Sequence, residues 1–234
     1  MIVPAGTQRR YWHDVLNGAG LTTLPRWPQC PRWPGQAGPG VAEHVEPLPA
    51  HLVPLRAGQL LAAHAVVLAA LSGEREVITG YVAEPGAGPL PLRLTTEPQT
   101  WRELVASAAR AEQWLQACRE VPVDAIAAQL GRCGPLFETE LDLHGDNSKL
   151  GQHTVLRVTI STSGPNGRSR LHLRYRTDVI DADAAARIAH YHVAALTQLA
   201  VDPDARPRSL LSGAEYSLQI DGLAGPDREL PAER

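Results

Sequence analysis

Residues 60–80 read LLAAHAVVLAALSGEREVITG. In the first half, Leu60, Leu61, His64, Val67, Leu68 and Leu71 recur at helical spacing and make a broad apolar stripe, which Gly73 ends. The second half, 77–82, is short, apolar and partly β-branched, the pattern of a buried strand. A helix running straight into a buried strand is the repeating unit of an α/β chain. The apolar run 60–71, broken by His64, is too short to span a bilayer and reads as a buried helix.

Towards the N-terminus, Tyr11, Trp12, Val15 and Leu16 share one face of a helix over 7–16, with Asn17 and Gly18 as its stop. Over 24–54 the composition changes. Proline recurs every few residues, and PRWPQC is followed at once by PRWPGQ. Proline fixes φ and removes a backbone donor, so this stretch is expected to be extended or polyproline-like. It reads either as a proline-rich ligand for another protein or as an ordered strap whose Trp27 and Trp33 cover their own domain. The cost of leaving two tryptophans wet favours the strap.

Towards the C-terminus, a Gly/Pro-rich turn over 84–91 leads to a short strand at 92–94. Thr100 and Glu103 have the spacing of a capping box. The helix they open carries Leu104, Val105, Ala108, Ala111 and Leu115 on one side, and Pro122 suits the first turn of a further short helix ending near 130. Strand patterns then dominate. Leu141 and Leu143 alternate with Glu138, Glu140 and Asp142, while Leu156, Val158 and Ile160 alternate with Arg157 and Thr159. Leu171, Leu173 and Tyr175 alternate with His172, Arg174 and Arg176. The last two runs flank SGPNG at 163–167 and are expected to pair as a hairpin. Asp181 is placed to cap a long helix to 199 with Ile188, His192, Ala195, Leu196 and Leu199 inward. After 203 the chain reads as an irregular tail. The economical fold is one mixed α/β layer domain.

The 234 residues carry a net charge of −3, so no basic surplus argues for nucleic acid. Lysine occurs once, at Lys149, and phenylalanine once, so a core has to come from Leu, Val, Ala and a few Trp. Cys30, Cys118 and Cys133 are odd in number and far apart, which suggests neither a disulfide framework nor a zinc site. With no apolar signal core at 1–10, the expectation is a cytoplasmic protein that takes neither membrane nor nucleic acid as partner.

The histidines offer no metal or catalytic spacing. His190 and His192 lie about 200° apart on a helix. His64, on an apolar stripe, reads as a hydrogen-bonded core residue in preference to a general base, and His172 reads as part of a solvated strand face. Glu138, Glu140 and Asp142 line one strand face, either as a metal or acid–base cluster or, preferred, as an exposed sheet face. No serine elbow, Walker loop or dinucleotide fingerprint is present, and neither Cys118 nor Cys133 has an evident base. The residues thus yield no catalytic, cofactor or metal site.

The order of segments is more informative. Residues 8–18, QRRYWHDVLNG, resemble the Q-x-x-YW-x-x-x-L-x-G helix of nonribosomal peptide synthetase condensation domains, in the chloramphenicol-acetyltransferase-like superfamily. Residues 60–80 resemble that family's helix–turn–strand. LPLR at 90–93 and TWREL at 100–104 resemble its next strand and helix. CREVP at 118–122 stands where the family has H-Q-D-V-P, and GPLF at 134–137 where it has N-P-L-F. VDPDAR at 201–206 matches the family's end, and RELP at 228–231 resembles the run-in to an adenylation domain. The resemblance implies a single C-terminal lobe of the fold, a mixed sheet flanked by helices, over 1–209, with 210–234 as a linker to an adenylation domain.

Departures from the family pattern shape the functional expectation. The family's H-H-x-x-x-D-G motif belongs to an N-terminal lobe that has no counterpart here. The segments that in the family cross to that lobe, after Gly80 and between 143 and 154, are short. Their joint reduction favours a lone lobe over an arbitrary piece of a complete domain. The resemblance then implies a noncatalytic platform for the adenylation domain, without cofactor or metal. The alternative is half of an acyl-transferring enzyme completed in trans by a lobe bearing the histidine motif, although a lobe awaiting its mate should keep the elements that grip it. A carrier protein or another synthetase subunit is a further expected partner. Trp27, Trp33, Leu210, Leu211, Tyr216 and Leu218 are the expected interaction residues.

Overall fold

The computed structural model describes residues 3–18, 20–27, 40–97, 99–144, 149–163 and 168–211. The helices form where caps and periodicity place them. Helix α1 spans Ala5–Gly18 and buries Trp12, Val15 and Leu16. The Trp12 indole N–H donates to the Cys118 carbonyl at 2.9 Å, so the ring can be fully buried without an orphaned donor. Helix α2, Ala57–Ser72, stops at Gly73, whose φ of 75° is left-handed and whose N–H returns to the Ala69 carbonyl. Helix α3, Trp101–Cys118, opens on the Thr100–Glu103 capping box in full. Helix α4, Val123–Gln129, follows Pro122. Helix α5, Ala182–Val201, is capped by Asp181, which accepts from the Ala184 amide at 2.7 Å.

Among the described residues, six strands form one mixed sheet: β1 Val41–Pro47, β2 Glu76–Val82, β3 Leu90–Thr95, β4 Thr139–Asp142, β5 Leu156–Ser163 and β6 Arg168–Arg176. Their order is β1-β6-β5-β4-β2-β3. The central pairs β2–β4 and β4–β5 are parallel, and the flanking pairs, including the expected β5–β6 hairpin, are antiparallel. Register sets the two faces. Tyr81, Leu141, Val158 and Leu173 are successive neighbours in one row, all nearly fully buried. That face meets α2 through His64 and Thr79, and α3 through Glu112 and Tyr81. The neighbouring row on the other face runs Gly80, Glu140, Arg157, Arg174, Glu43.

Two expectations are corrected. The stretch 24–54 is not extended or polyproline-like throughout: Val41–Pro47 is extended, as an edge strand paired along its whole length with β6, but Ala50–Leu52 turns as a 3-10 helix. Pro47 is tolerated because it ends the strand, where a missing donor costs no ladder bond. The second correction concerns Glu138, Glu140 and Asp142, which are 4%, 1% and 1% exposed and therefore not an exposed sheet face. Arg26 and the Leu24 amide satisfy Glu138, and Arg157 and the Thr154 hydroxyl satisfy Glu140.

Candidate functional site

Three polar constellations could carry chemistry, and geometry gives each a role. In the core, His64 Nδ1 lies 3.0 Å from His192 Nε2, and His64 Nε2 lies 3.2 Å from Thr79 Oγ1. His192 Nδ1 is 2.8 Å from the Ile188 carbonyl. A carbonyl only accepts, so His192 carries its proton on Nδ1 and accepts from His64 through Nε2. His64 then carries its own proton on Nδ1 and accepts from Thr79. Every ring nitrogen is satisfied by neutral rings. Burial pushes His64 well below the usual histidine range, with His192 adding to the effect, and burial lowers His192 to about 4. Both rings are 3% exposed or less, so substrate cannot reach them. His64 is the hydrogen-bonded core residue that its place on the stripe implied.

Beneath the opposite face, the Arg157 Nε donates to Glu140 Oε2 at 2.6 Å, and Thr154 Oγ1 donates to the other carboxylate oxygen. Glu138 accepts from both terminal nitrogens of Arg26 and, at 2.5 Å, from the Leu24 amide. These carboxylates are structural clasps. Glu138 fastens the start of the proline-rich segment across the sheet, a role that sequence reasoning missed.

The third constellation crosses three strands: Ser161 Oγ is 2.8 Å from His172 Nε2, and His172 Nδ1 is 3.0 Å from Glu43 Oε1. The residue order is that of a hydrolase relay. Ser161, however, lies inside β5 and not on the sharp strand-to-helix turn that presents a nucleophile beside backbone donors. It is a cross-strand polar ladder. His172 is thus held between partners on a half-buried surface, more ordered than a solvated face implies. Among the described residues, no group of three or more His, Cys, Asp and Glu side chains is placed to hold a metal ion. Nor is any helix long and apolar enough to cross a membrane.

The expected interaction residues are dispersed. Trp27 is half-buried against the core with the Arg187 guanidinium 5.9 Å above its ring. Leu210 and Leu211 also pack on the core, and they line a groove of about 540 Å³ with Val66, Ala69 and Arg75. Trp33, Tyr216 and Leu218 lie outside the described residues. The structure does not bring Trp27 together with the Leu210 groove into one site.

The segment leading to that groove is tightly held. The Trp101 and Arg102 amides, unpaired inside their own helix, donate to the Ala205 and Pro203 carbonyls at 2.9 and 2.7 Å. The Arg102 guanidinium forms two parallel bonds with Asp204, and the Arg208 amide donates to the Gln198 side chain at 2.8 Å.

Solved structures share this architecture. The complex of the X-domain and OxyB from teicoplanin biosynthesis matches with a TM-score of 0.68 and 22% identity, over 89% of this chain and 56% of that one. The starter condensation domain of the rhizomide synthetase RzmA matches at 0.64 and 19%, over 89% and 55%. The X-domain alone, from teicoplanin biosynthesis, matches at 0.65 and 20%, over 87% and 56%. The chain therefore spans about half the length of these structures. No family model and no curated protein matches the sequence. The fold is that of a single lobe of the condensation-domain, chloramphenicol-acetyltransferase-like architecture, as the order of motifs implied.

Proposed function

We propose that this chain is a noncatalytic, condensation-like lobe of a nonribosomal peptide synthetase. Residues 1–209 serve as a platform, and 210–234 join it to an adenylation domain. The observation that carries the reading is the anchoring of 203–208 on α3 and α5 through backbone amides and the Arg102–Asp204 pair. A chain segment fixed in this way sets the position and direction of whatever follows it, which is what a platform requires. The chemistry agrees: the two core histidines are neutral and enclosed, and the buried carboxylates are occupied by structural partners. The X-domain solved with OxyB is a relative in fold that associates with another protein, which supports an interaction role for this lobe.

Two assays test the proposal. The isolated chain, mixed with aminoacyl- and peptidyl-loaded carrier proteins, is expected to form no amide product. An adenylation domain fused after residue 234 is expected to lose solubility or aminoacyl-adenylate formation when residues 1–209 are removed. Sustained condensation by the isolated chain would favour an acyl transferase, and an adenylation domain indifferent to the deletion would remove the platform role.

A further inference from the structure

A cleft of about 410 Å³ opens between the start of α2, the middle of α3 and the ends of β2 and β5. Its volume falls in the range of small-molecule sites. Leu55, Leu60, Leu143 and Ile160 make an apolar wall. Its polar lining is Tyr81, Glu112, Ser169 and, exposed at the rim, His144. Tyr81 is 2% exposed, and its hydroxyl donates to Glu112 Oε1 at 2.5 Å.

We propose that this cleft binds a small organic cation, an ammonium group carried on an apolar body, with Glu112 as the counter-ion. Two features select that class. The carboxylate is held in place by a buried phenol through one oxygen, which leaves the second oxygen's lone pairs for a ligand. Among the described residues the walls offer apolar contact but no fixed positive charge, so an anion gains no ion pair there. Burial first, then Glu112, pushes the Tyr81 phenol upward, so it stays a neutral donor to the carboxylate. The apolar body of such a ligand gains by leaving water for this wall, and the ammonium, costly to bury alone, is met by the carboxylate.

The test uses the full 234-residue chain, labelled with nitrogen-15 and titrated with phenethylammonium and with its anionic counterpart 3-phenylpropionate. Phenethylammonium is expected to shift the amides of Leu55, Leu60 and Leu143 saturably, and 3-phenylpropionate to bind at least about tenfold more weakly. Glu112→Gln is expected to weaken the cation about tenfold without weakening the anion, and Tyr81→Phe to weaken the cation a few-fold. Ala57→Trp, which fills the cleft from its edge without touching Glu112, should abolish the shifts. Equal binding of the two probes, shifts confined to other residues, or a cation affinity indifferent to Glu112→Gln in a variant with native circular dichroism would overturn the proposal.

Discussion

The imidazoles of His64 and His192 meet at 3.0 Å between α2 and α5, each ring neutral and each fully hydrogen-bonded within the core. Their protonation is therefore linked to folding. In the unfolded chain both titrate near 6.5, whereas in the folded state burial lowers His192 to about 4 and holds His64 well below its ordinary value. Between these values the unfolded state binds more protons, so stability is highest above about pH 6.5 and falls as pH drops towards 4. For His192 alone the loss approaches about 3 kcal/mol. Replacing both with leucine frees the Thr79 hydroxyl proton for the Thr139 carbonyl, 3.0 Å away, and returns the Ile188 carbonyl to its helix, so no partner is stranded. Urea unfolding at pH 7.5 and pH 5 should show a steep loss for the native chain and a flatter one for the double variant. Parallel losses in both proteins would rule out the linkage.

Glu138 and Arg26 divide one interaction unequally. The carboxylate is buried, whereas the Arg26 side chain is 52% exposed, so the ion pair itself is worth about 1 kcal/mol or less. The Leu24 amide, by contrast, is buried on the same oxygen. Glu138→Ala leaves that donor unmet and should cost about 1–3 kcal/mol, whereas Arg26→Ala should cost less than about 1 kcal/mol. Hydrogen exchange at Leu24 reads the difference directly: fast in the glutamate variant, nearly native in the arginine variant. Equal effects would mean that the clasp acts through the ion pair and not through the amide.

How much of this was legible in the sequence follows from the range of each signal. Thr100, Gly73 and Asp181 mark helix ends through bonds to residues three or four positions away, so all three are legible in the sequence. The β5–β6 hairpin was legible for the same reason. Strand β1 was not, because Val41 finds its partner at Arg176, far along the chain, while nearby prolines argue for a strap. The alternation at 138–142 gave the right element and the wrong exposure. Nothing within a few residues announces that Arg26 and Arg157 will cover those carboxylates. His64 and His192 were each placed inward by periodicity, but their meeting is a property of α2 packing on α5. The interaction residues were legible only as apolar groups in unusual surroundings. The cleft around Glu112 needed Tyr81 from another element before it had any shape.

The pair formed by Glu140 and Arg157 is buried on both sides, at 1% and 5% side-chain exposure, so its energetics differ from those of Arg26. Removing either partner strands a charge in the interior, and Glu140→Ala or Arg157→Ala alone should cost about 3–5 kcal/mol. Replacing the pair by Glu140→Met with Arg157→Leu removes both charges together and should recover most of that loss. A double-mutant cycle in urea should therefore show strong coupling. Additive losses would show that the residues act through packing alone.

The contact between α3 and the segment 203–208 can be divided in the same way. The Arg102–Asp204 pair lies on the surface, with both side chains more than 60% exposed, and removing it with Arg102→Ala should leave the melting temperature nearly unchanged. The Trp101 and Arg102 amides are a different matter, because a helix start has no internal acceptor for them and the Ala205 and Pro203 carbonyls take that place. Ending the chain at residue 202 should lower the melting temperature by a few degrees and expose both amides to fast exchange, with α5 still protected. If the shortened chain kept its protection at Trp101 and Arg102, water would be serving these amides as well as the tail does. The anchoring that supports the platform reading would then carry no energetic weight.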